Sequence, residues 1–271
     1  MNKSIAFIGN ASIDEITTAR GKFTSYGGSA VNSSLAASLL TDESIYLTTA
    51  FGYDYPTHKF DSLKGISLEF SRIDEMASNR FLINEVDDTL SFVNEKYLDI
   101  ILNKQLIAGH VHLSCRKGVN PIQLLSALHF DSLSIDVMKF SLTTMWEDIV
   151  TLAKKATVCF CNREEYQTLM EQREQMKSLT FIVTHRDGVD IFSGDSEINV
   201  ALKSVPEIDF QSTTGAGDTF LGGFLASYTR YGDLHKAALS GQVVAKYSLA
   251  AFGNWHLYHM KDEILKEINK Q

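Results

Sequence analysis

The run Ser212-Thr213-Thr214-Gly215-Ala216-Gly217-Asp218-Thr219-Phe220-Leu221-Gly222-Gly223-Phe224-Leu225 leads from a turn of small and hydroxyl-bearing residues straight into an apolar, glycine-bearing helix. The first N–H groups of a helix have no partner within it and point outward with the positive end of the dipole behind them. The N–H groups of Ala216, Gly217 and Asp218, opened by Gly215, are therefore expected to receive an anion, and a phosphoryl group suits the site. A carboxylate beside an anion site is out of place unless it has a task. If the phosphoryl is in transfer, Asp218 stands where a base could take the proton of an attacking hydroxyl. The alternative is that Asp218 only caps the helix, as Asp commonly does.

Upstream of this run the chain alternates short apolar segments with helical patterns. Strands are expected at Ile5 to Ile8, Ile45 to Thr49, His110 to Ser114, Leu133 to Val137, Thr157 to Phe160, Phe181 to Thr184 and Val189 to Phe192. Helices are expected at Ala30 to Leu40, Pro121 to His129, Thr143 to Ala156, Arg163 to Met176, and from Asp218 onward. Continuously apolar strands suit burial on both faces, and strand-helix alternation implies parallel pairing. The fold class expected is α/β, a three-layer doubly wound sheet. Two stretches break the rhythm, at about 13–26 and 79–95, where short alternating strands with turn residues read as hairpins inserted as lids. No repeat or linker divides the chain, so residues 1–271 are expected to form a single α/β domain.

With 44% hydrophobic and 21% charged residues among 271, the composition is that of a folded globular chain. Lys and Arg number 25 against 33 Asp and Glu, a net charge of −8, which argues against nucleic acid or an anionic membrane as partner. Three cysteines, Cys115, Cys159 and Cys161, are an odd number and no disulfide framework. No stretch approaches the ~20 apolar residues of a membrane helix, and a cytoplasmic location is expected. His185-Arg186-Asp187 mimics a protein-kinase triplet but lacks the Asn that should follow it.

The Ser212–Leu225 run resembles the carboxyl-terminal signature of the ribokinase, or PfkB, family of carbohydrate kinases, a Thr-Gly-Ala-Gly-Asp turn followed by a helix with paired glycines. Tyr26-Gly27-Gly28-Ser29-Ala30-Val31-Asn32 resembles the family's Gly-Gly-x-x-x-Asn, and Asp14 lies where the family places a hydroxyl-binding aspartate. Phe51-Gly52-Tyr53-Asp54 resembles its Gly-x-Asp, Asn162-Arg163-Glu164-Glu165 its Asn-x-x-Glu, and Thr184 its nucleotide-loop threonine. Asn162 and Glu165 also have the spacing of a plain capping box.

The resemblance implies a ribokinase-like fold with a small β lid and transfer of the γ-phosphoryl of ATP to a hydroxyl of a sugar or cyclitol. A nucleoside kinase and a non-catalytic nucleotide-binding protein are the alternatives. By the same resemblance Asp218 is the general base, and Gly215, Ala216 and Gly217 form the anion hole with it. Asp14, Gly27, Gly28 and Asn32 bind the acceptor. Asn162, Glu165, Thr184, Gly188, Gly215 and Gly217 hold ATP, with Glu165 supporting Mg²⁺ through water. A homodimer through the lid is expected. Three departures stand out: Ser212 where the family usually has Asp, a nucleotide loop shortened to Thr184-His185-Arg186-Asp187-Gly188, and Asp136-Val137-Met138-Lys139 without the Asn and Arg found in some members. Since that missing aspartate helps hold a monovalent cation in many relatives, Ser212 implies weak dependence on K⁺ unless Asp209 takes its place.

Overall fold

The computed structural model describes residues 3–171, 176, 178–202 and 210–270. The chain begins with β1 (Ile5–Ile8), β2 (Ser12–Thr18), β3 (Gly21–Gly27), α1 (Ser29–Leu40), β4 (Ile45–Thr48), β5 (Ala50–Gly52), β6 (Ile66–Ser67), β7 (Arg72–Asp74), β8 (Asn79–Asn84) and β9 (Thr89–Phe92). It continues with β10 (Leu106–Ser114), α2 (Pro121–Leu125), β11 (Leu128–Asp136), α3 (Lys139–Thr144), α4 (Trp146–Ala153), β12 (Val158–Asn162) and α5 (Arg163–Met170). The last described elements are β13 (Thr180–His185), β14 (Gly188–Ser193), β15 (Ser196–Ala201), α6 (Ala216–Tyr231), α7 (Leu234–Ser248) and α8 (Lys261–Ile268).

Among the described residues nine strands form the main sheet in the order β15-β14-β13-β12-β11-β10-β1-β4-β6. From β13 to β6 every pairing is parallel. The uniform hydrophobicity of β1 follows from its place between two helical layers. Ile5 and Phe7 join the core made with Leu35 of α1 and Phe220 and Phe224 of α6. Ala6 and Ile8 join the opposite core, with Leu124 of α2, Ile149 of α4 and Leu169 of α5. The three-layer α/β arrangement expected from the sequence is therefore present.

Several boundaries differ from expectation. The helix at Pro121 has its expected start, with Asn120 accepting from the Gln123 N–H at 3.1 Å, but it ends at Leu125 and Leu128 already opens β11. Over so few residues a helical and a strand period cannot be told apart. The segment Thr143 to Ala156 is two helices broken at Met145, whose φ of −132° leaves the helical range. The segment Arg163 to Met176 is helical only to Met170, and residues 172–175 within it lie outside the described residues. Val189 to Phe192 belongs to β14, which returns antiparallel to β13 through the turn Arg186-Asp187. β15, absent from the sequence reading, pairs antiparallel at the edge; its largely exposed, polar pattern gives little hydrophobic signal.

The two hairpins expected at about 13–26 and 79–95 merge into one four-stranded sheet, β3-β2-β8-β9, with β2 parallel to β8. Asp54 ties down the entry to β8: it pairs with Arg80 and accepts from the N–H and hydroxyl of Ser78 at 2.8 and 2.7 Å. Gly28 turns the chain from β3 into α1 with φ of 103°, and a Cβ there would lie 2.3 Å from the Asn10 carbonyl oxygen. Beneath, α6 is wedged between two helices at its glycine pair. A Cβ on Gly222 would stand 2.1 Å from the Ser33 carbonyl of α1, and one on Gly223 would stand 3.2 Å from Gly241 of α7.

Candidate active site

In a doubly wound sheet the binding crevice opens at the carboxyl ends of the strands, where the chain reverses its direction of travel across the sheet. That point lies between β1 and β10, because the chain leaves β1 toward β4 and returns on the other side with β10. Asn10 follows β1 and Arg116 follows β10, while Asp136, Asn162 and Thr184 stand at or near the ends of β11, β12 and β13. Two cavities occupy the crevice, one of about 550 Å³ and one of about 190 Å³. Asp218, Arg116 and Met138 line both.

Asp218 lies in the first turn of α6, whose N-cap Gly215 has φ of 81°. Its backbone carbonyl accepts from the Ser33 hydroxyl at 3.0 Å, and its carboxylate accepts from the Asn32 amide at 3.4 Å. The close approach of α1 and α6 at Gly222 thus fixes the aspartate. Burial pushes the Asp218 carboxyl up, Arg116 opposes this and the charge of Asp136 adds to it, for a net rise above the ordinary carboxylate range. Such a shift brings a base nearer neutral pH. Of the three N–H groups expected to face an anion, that of Ala216 turns back onto the Thr213 carbonyl at 3.1 Å. Gly217 and Asp218 remain as first-turn donors, and the space beside Gly217 is open to 4 Å.

The larger cavity gathers Asp14, Gly28 and Asn32, three of the four residues expected at the acceptor. Gly27 lies behind Gly28, its carbonyl accepting from the Tyr55 hydroxyl at 3.2 Å. Four buried oxygens on residues lining this cavity have no hydrogen-bond partner among the described residues: Asn10 Oδ1, Asp14 Oδ1, Ser29 Oγ and Asn32 Oδ1. Asp14 is pushed up to about 6, first by burial, with the Ser12 hydroxyl opposing and the Asp218 charge adding. The opposite wall is aromatic: Phe92 stacks on Tyr97 with centroids 3.6 Å apart, and Phe81 tilts against Phe92 at 5.2 Å.

The smaller cavity holds Glu165, Asn162, Thr184 and Gly217. Asn162 and Glu165 realise the capping box: Asn162 Oδ1 accepts from the Glu165 N–H at 2.9 Å, and Glu165 Oε2 accepts from the Asn162 N–H at 2.8 Å. Glu165 Oε1 accepts from the Lys139 N–H at 3.1 Å. Burial leads the net upward shift of this carboxyl, against the opposing pull of the Asn162 N–H and Arg116. Gly188 lines neither cavity; it closes the β13–β14 turn, where a Cβ would lie 2.3 Å from the Val200 carbonyl. Among the described residues no group of three or more His, Cys, Asp or Glu side chains is arranged to hold a metal ion. Mg²⁺ keeps several waters and needs only one or two carboxylates besides phosphates. Glu165, on the wall of this cavity with Asn162 and Gly217, therefore fits a Mg²⁺ that would arrive with a nucleotide and be held through water.

Two participants escaped the sequence reading. Arg116 pairs with Asp136, which also lies 3.3 Å from His112 Nε2. A chain of buried polar contacts runs on from His112 to Ser134 at 2.9 Å, His110 at 2.8 Å and Ser132 at 2.7 Å. Burial, then the neighbouring His112, lowers His110 to about 3, so its ring is neutral. Burial pushes the Asp136 carboxyl up, but Arg116 and His112 outweigh it and the net shift is downward. Glu85 is the second: its Oε1 accepts from the hydroxyls of Ser212, Thr213 and Thr214 at 2.7, 3.2 and 2.8 Å and from the N–H groups of Thr213 and Thr214 at 2.9 and 3.0 Å. A carboxylate thus stands beside Ser212 after all, supplied by the four-stranded sheet, whereas Asp209 lies outside the described residues.

Comparison with known proteins places these features in context. The family model for pfkB family carbohydrate kinases matches residues 2–254. A cytidine kinase of Thermococcus kodakarensis is 23% identical, over 93% of this chain and 98% of that protein. Among solved structures, a nucleoside kinase of Methanocaldococcus jannaschii, an archaeal member of the ribokinase family, superposes with a TM-score of 0.76 at 19% identity, covering 99% of each chain. An aminoimidazole riboside kinase of Salmonella enterica, solved with aminoimidazole riboside and an ATP analog, gives 0.74 at 17% identity, over 98% of this chain and 99% of that one.

Proposed function

From the premise that this chain belongs to the pfkB family of carbohydrate kinases, we propose that it transfers the γ-phosphoryl of ATP to a hydroxyl of a ribosyl acceptor, with Asp218 as general base. The observation that carries this reading is the meeting of two cavities at Asp218 and Arg116, one ringed by buried oxygens that lack donors and the other backed by a helix N-terminus. Unpaired oxygen acceptors call for a ligand rich in hydroxyl donors. Asp14, Asn32, Asn10 and Ser29 would hold those hydroxyls. Asp218 would take the proton from the one that attacks, while the Gly217 and Asp218 N–H groups, assisted by Arg116, receive the charge that develops on the phosphoryl oxygens. Glu165 would support Mg²⁺ through water, and that ion would screen the phosphate charges.

A free sugar or cyclitol would satisfy the polar half of the cavity. The aromatic wall of Phe81, Phe92 and Tyr97 favours a nucleoside, whose base is a flat apolar body attached to a ribose. The four-stranded sheet acts as a lid on a single folding unit, excluding water that would compete for the phosphoryl. Its exposed Leu82, Val86 and Val93 would be part of the surface of a homodimer. Among the described residues no helix is long and apolar enough to cross a membrane.

The test is ADP release from ATP across a panel of nucleosides, pentoses, hexoses and inositols. Nucleoside-stimulated release is expected. Stimulation by free sugars or inositols alone would overturn the base-binding part, and ligand binding without turnover across the panel would support the non-catalytic alternative.

A further inference from the structure

Glu85 sits at the tip of the lid, directly after β8, and its position there is braced. Its own N–H donates to the Thr17 carbonyl of β2 at 2.9 Å, and Asn84 Oδ1 accepts from the next two N–H groups at 3.0 and 3.3 Å. From this braced tip the side chain reaches a segment 127 to 129 residues away in sequence, where five donors of Ser212, Thr213 and Thr214 converge on one oxygen. Thr214 and Ile83, two residues before Glu85, line the same large cavity. Ala216 in turn donates its N–H to the Thr213 carbonyl, so the segment gripped by Glu85 is the one that shapes the turn into α6.

We infer that Glu85 is a positioning residue that latches the lid onto the Ser212–Thr214 arm of the phosphoryl-binding turn, so that closing over the acceptor and ordering the anion donors are one event. A carboxylate suits the task, because a charged acceptor binds hydroxyl and N–H donors more strongly than a neutral one. The net downward shift of its carboxyl, where these donors outweigh the upward push of burial, keeps the charge in place at neutral pH. The rival role for the same contacts is a stand-in anion that nucleotide phosphate displaces. The two roles differ in what ATP does to the lid: a latch stays engaged, whereas a stand-in is expelled. The inference rests on the kinase reading for its kinetic consequence but not for its structural one.

Hydrogen exchange of the ligand-free protein separates the cases. In Glu85→Ala, exchange should quicken about tenfold or more both at the lid, residues 81–92, and at residues 213–216, the loss of a charge-assisted contact being that large. In the kinetic arm, acceptor KM should rise about tenfold while ATP KM stays, and acceptor-independent ATP hydrolysis should grow relative to transfer because water enters. Glu85→Gln, which keeps the shape without the charge, should fall between. Ser212→Ala combined with Glu85→Ala should be less than additive, which a fold defect in either variant would not produce. The inference fails if only the lid's exchange quickens, if the hydrolysis-to-transfer ratio is that of the wild type, or if ATP alone frees the lid tip in the unmodified protein. A protein that is inactive on every acceptor yet shows coupled exchange would overturn the kinase reading and leave the latch standing.

Discussion

Helix α6 and the sheet β3-β2-β8-β9 face one another across the larger cavity and are held by different means. The helix is fixed by contact: Gly222 and Gly223 let it touch α1 and α7 so closely that no side chain fits between, and Phe220, Phe224 and Leu225 are buried beneath it. The lid is packed only in part: Ile13 and Ile16 of β2 are buried and Phe23 of β3 stacks on Phe252 at 3.5 Å, but β8 and β9 are tied at the root by the Asp54–Arg80 pair and at the tip by Glu85, while Leu82 and Leu90 stand exposed on them. Close packing gives a single well-defined position, whereas a few polar contacts at an edge can be broken and remade. In the proposed reaction the general base would therefore sit on the tightly packed element, and the wall that would admit the acceptor on the one whose outer strands can move.

Changes on the helix side should damage chemistry and those on the lid side should damage capture. Asp218→Asn keeps volume and helix start but removes the proton acceptor; turnover should fall about 10²-fold or more with nucleotide affinity little changed. Steady-state kinetics check this, and near-wild-type turnover would assign Asp218 to capping.

Asp14 stands where the two regions meet, the third residue of β2 and on the same cavity as Asp218. Its carboxyl titrates at about 6 in the folded protein against an ordinary 3.8. The sign follows: the stability it contributes is complete below pH 4 and is lost as pH rises through about 6, leaving the empty protein near pH 7 less stable by ~2–3 kcal/mol. Asp14→Asn should thus raise Tm by several degrees at pH 7, with a gain that vanishes near pH 4 in thermal melts. The same variant should raise acceptor KM about tenfold. A variant that loses both stability and acceptor affinity would mean that Asp14 belongs to the packing and not to the site.

The smallest effect concerns the seam between helix and lid. Ser212 gives its hydroxyl to Glu85 and brings no charge of its own. Exchange of K⁺ for a bulky organic cation at constant ionic strength should change turnover less than about twofold, well under 1 kcal/mol. Strong K⁺ activation would show that the seam holds a cation as well as a latch.

The sheet and Asp218 were legible because their signals are local. β1 and β4 are short apolar runs, and the Gly215–Asp218 turn carries its own chemistry within four residues. Glu85 and Arg116 carry no local signal: each is one charged residue in a connection, and its meaning lies in partners far along the chain, Ser212–Thr214 for the first and Asp136 for the second. β15 was lost because an edge strand with exposed polar positions resembles a loop, and the end of α2 because Leu128-His129-Phe130 continues either pattern. Asn162 and Glu165 show the reverse case, in which both readings of the sequence were open and the capping geometry is realised beside a cavity wall.

The oxygens of Asn10, Asp14, Ser29 and Asn32 that meet no donor among the described residues also bear on fidelity. An acceptor that brings every hydroxyl leaves none of them bare. A deoxy analogue fills nearly the same space but strands an oxygen away from water, at ~1–3 kcal/mol for each and more for a carboxylate. Sites of this kind discriminate against a missing hydroxyl far more sharply than apolar pockets discriminate against a missing methylene. On the proposed reading the pocket would thus sort ribosyl from deoxyribosyl compounds by the penalty for a poor match, without any contact dedicated to rejecting the wrong one.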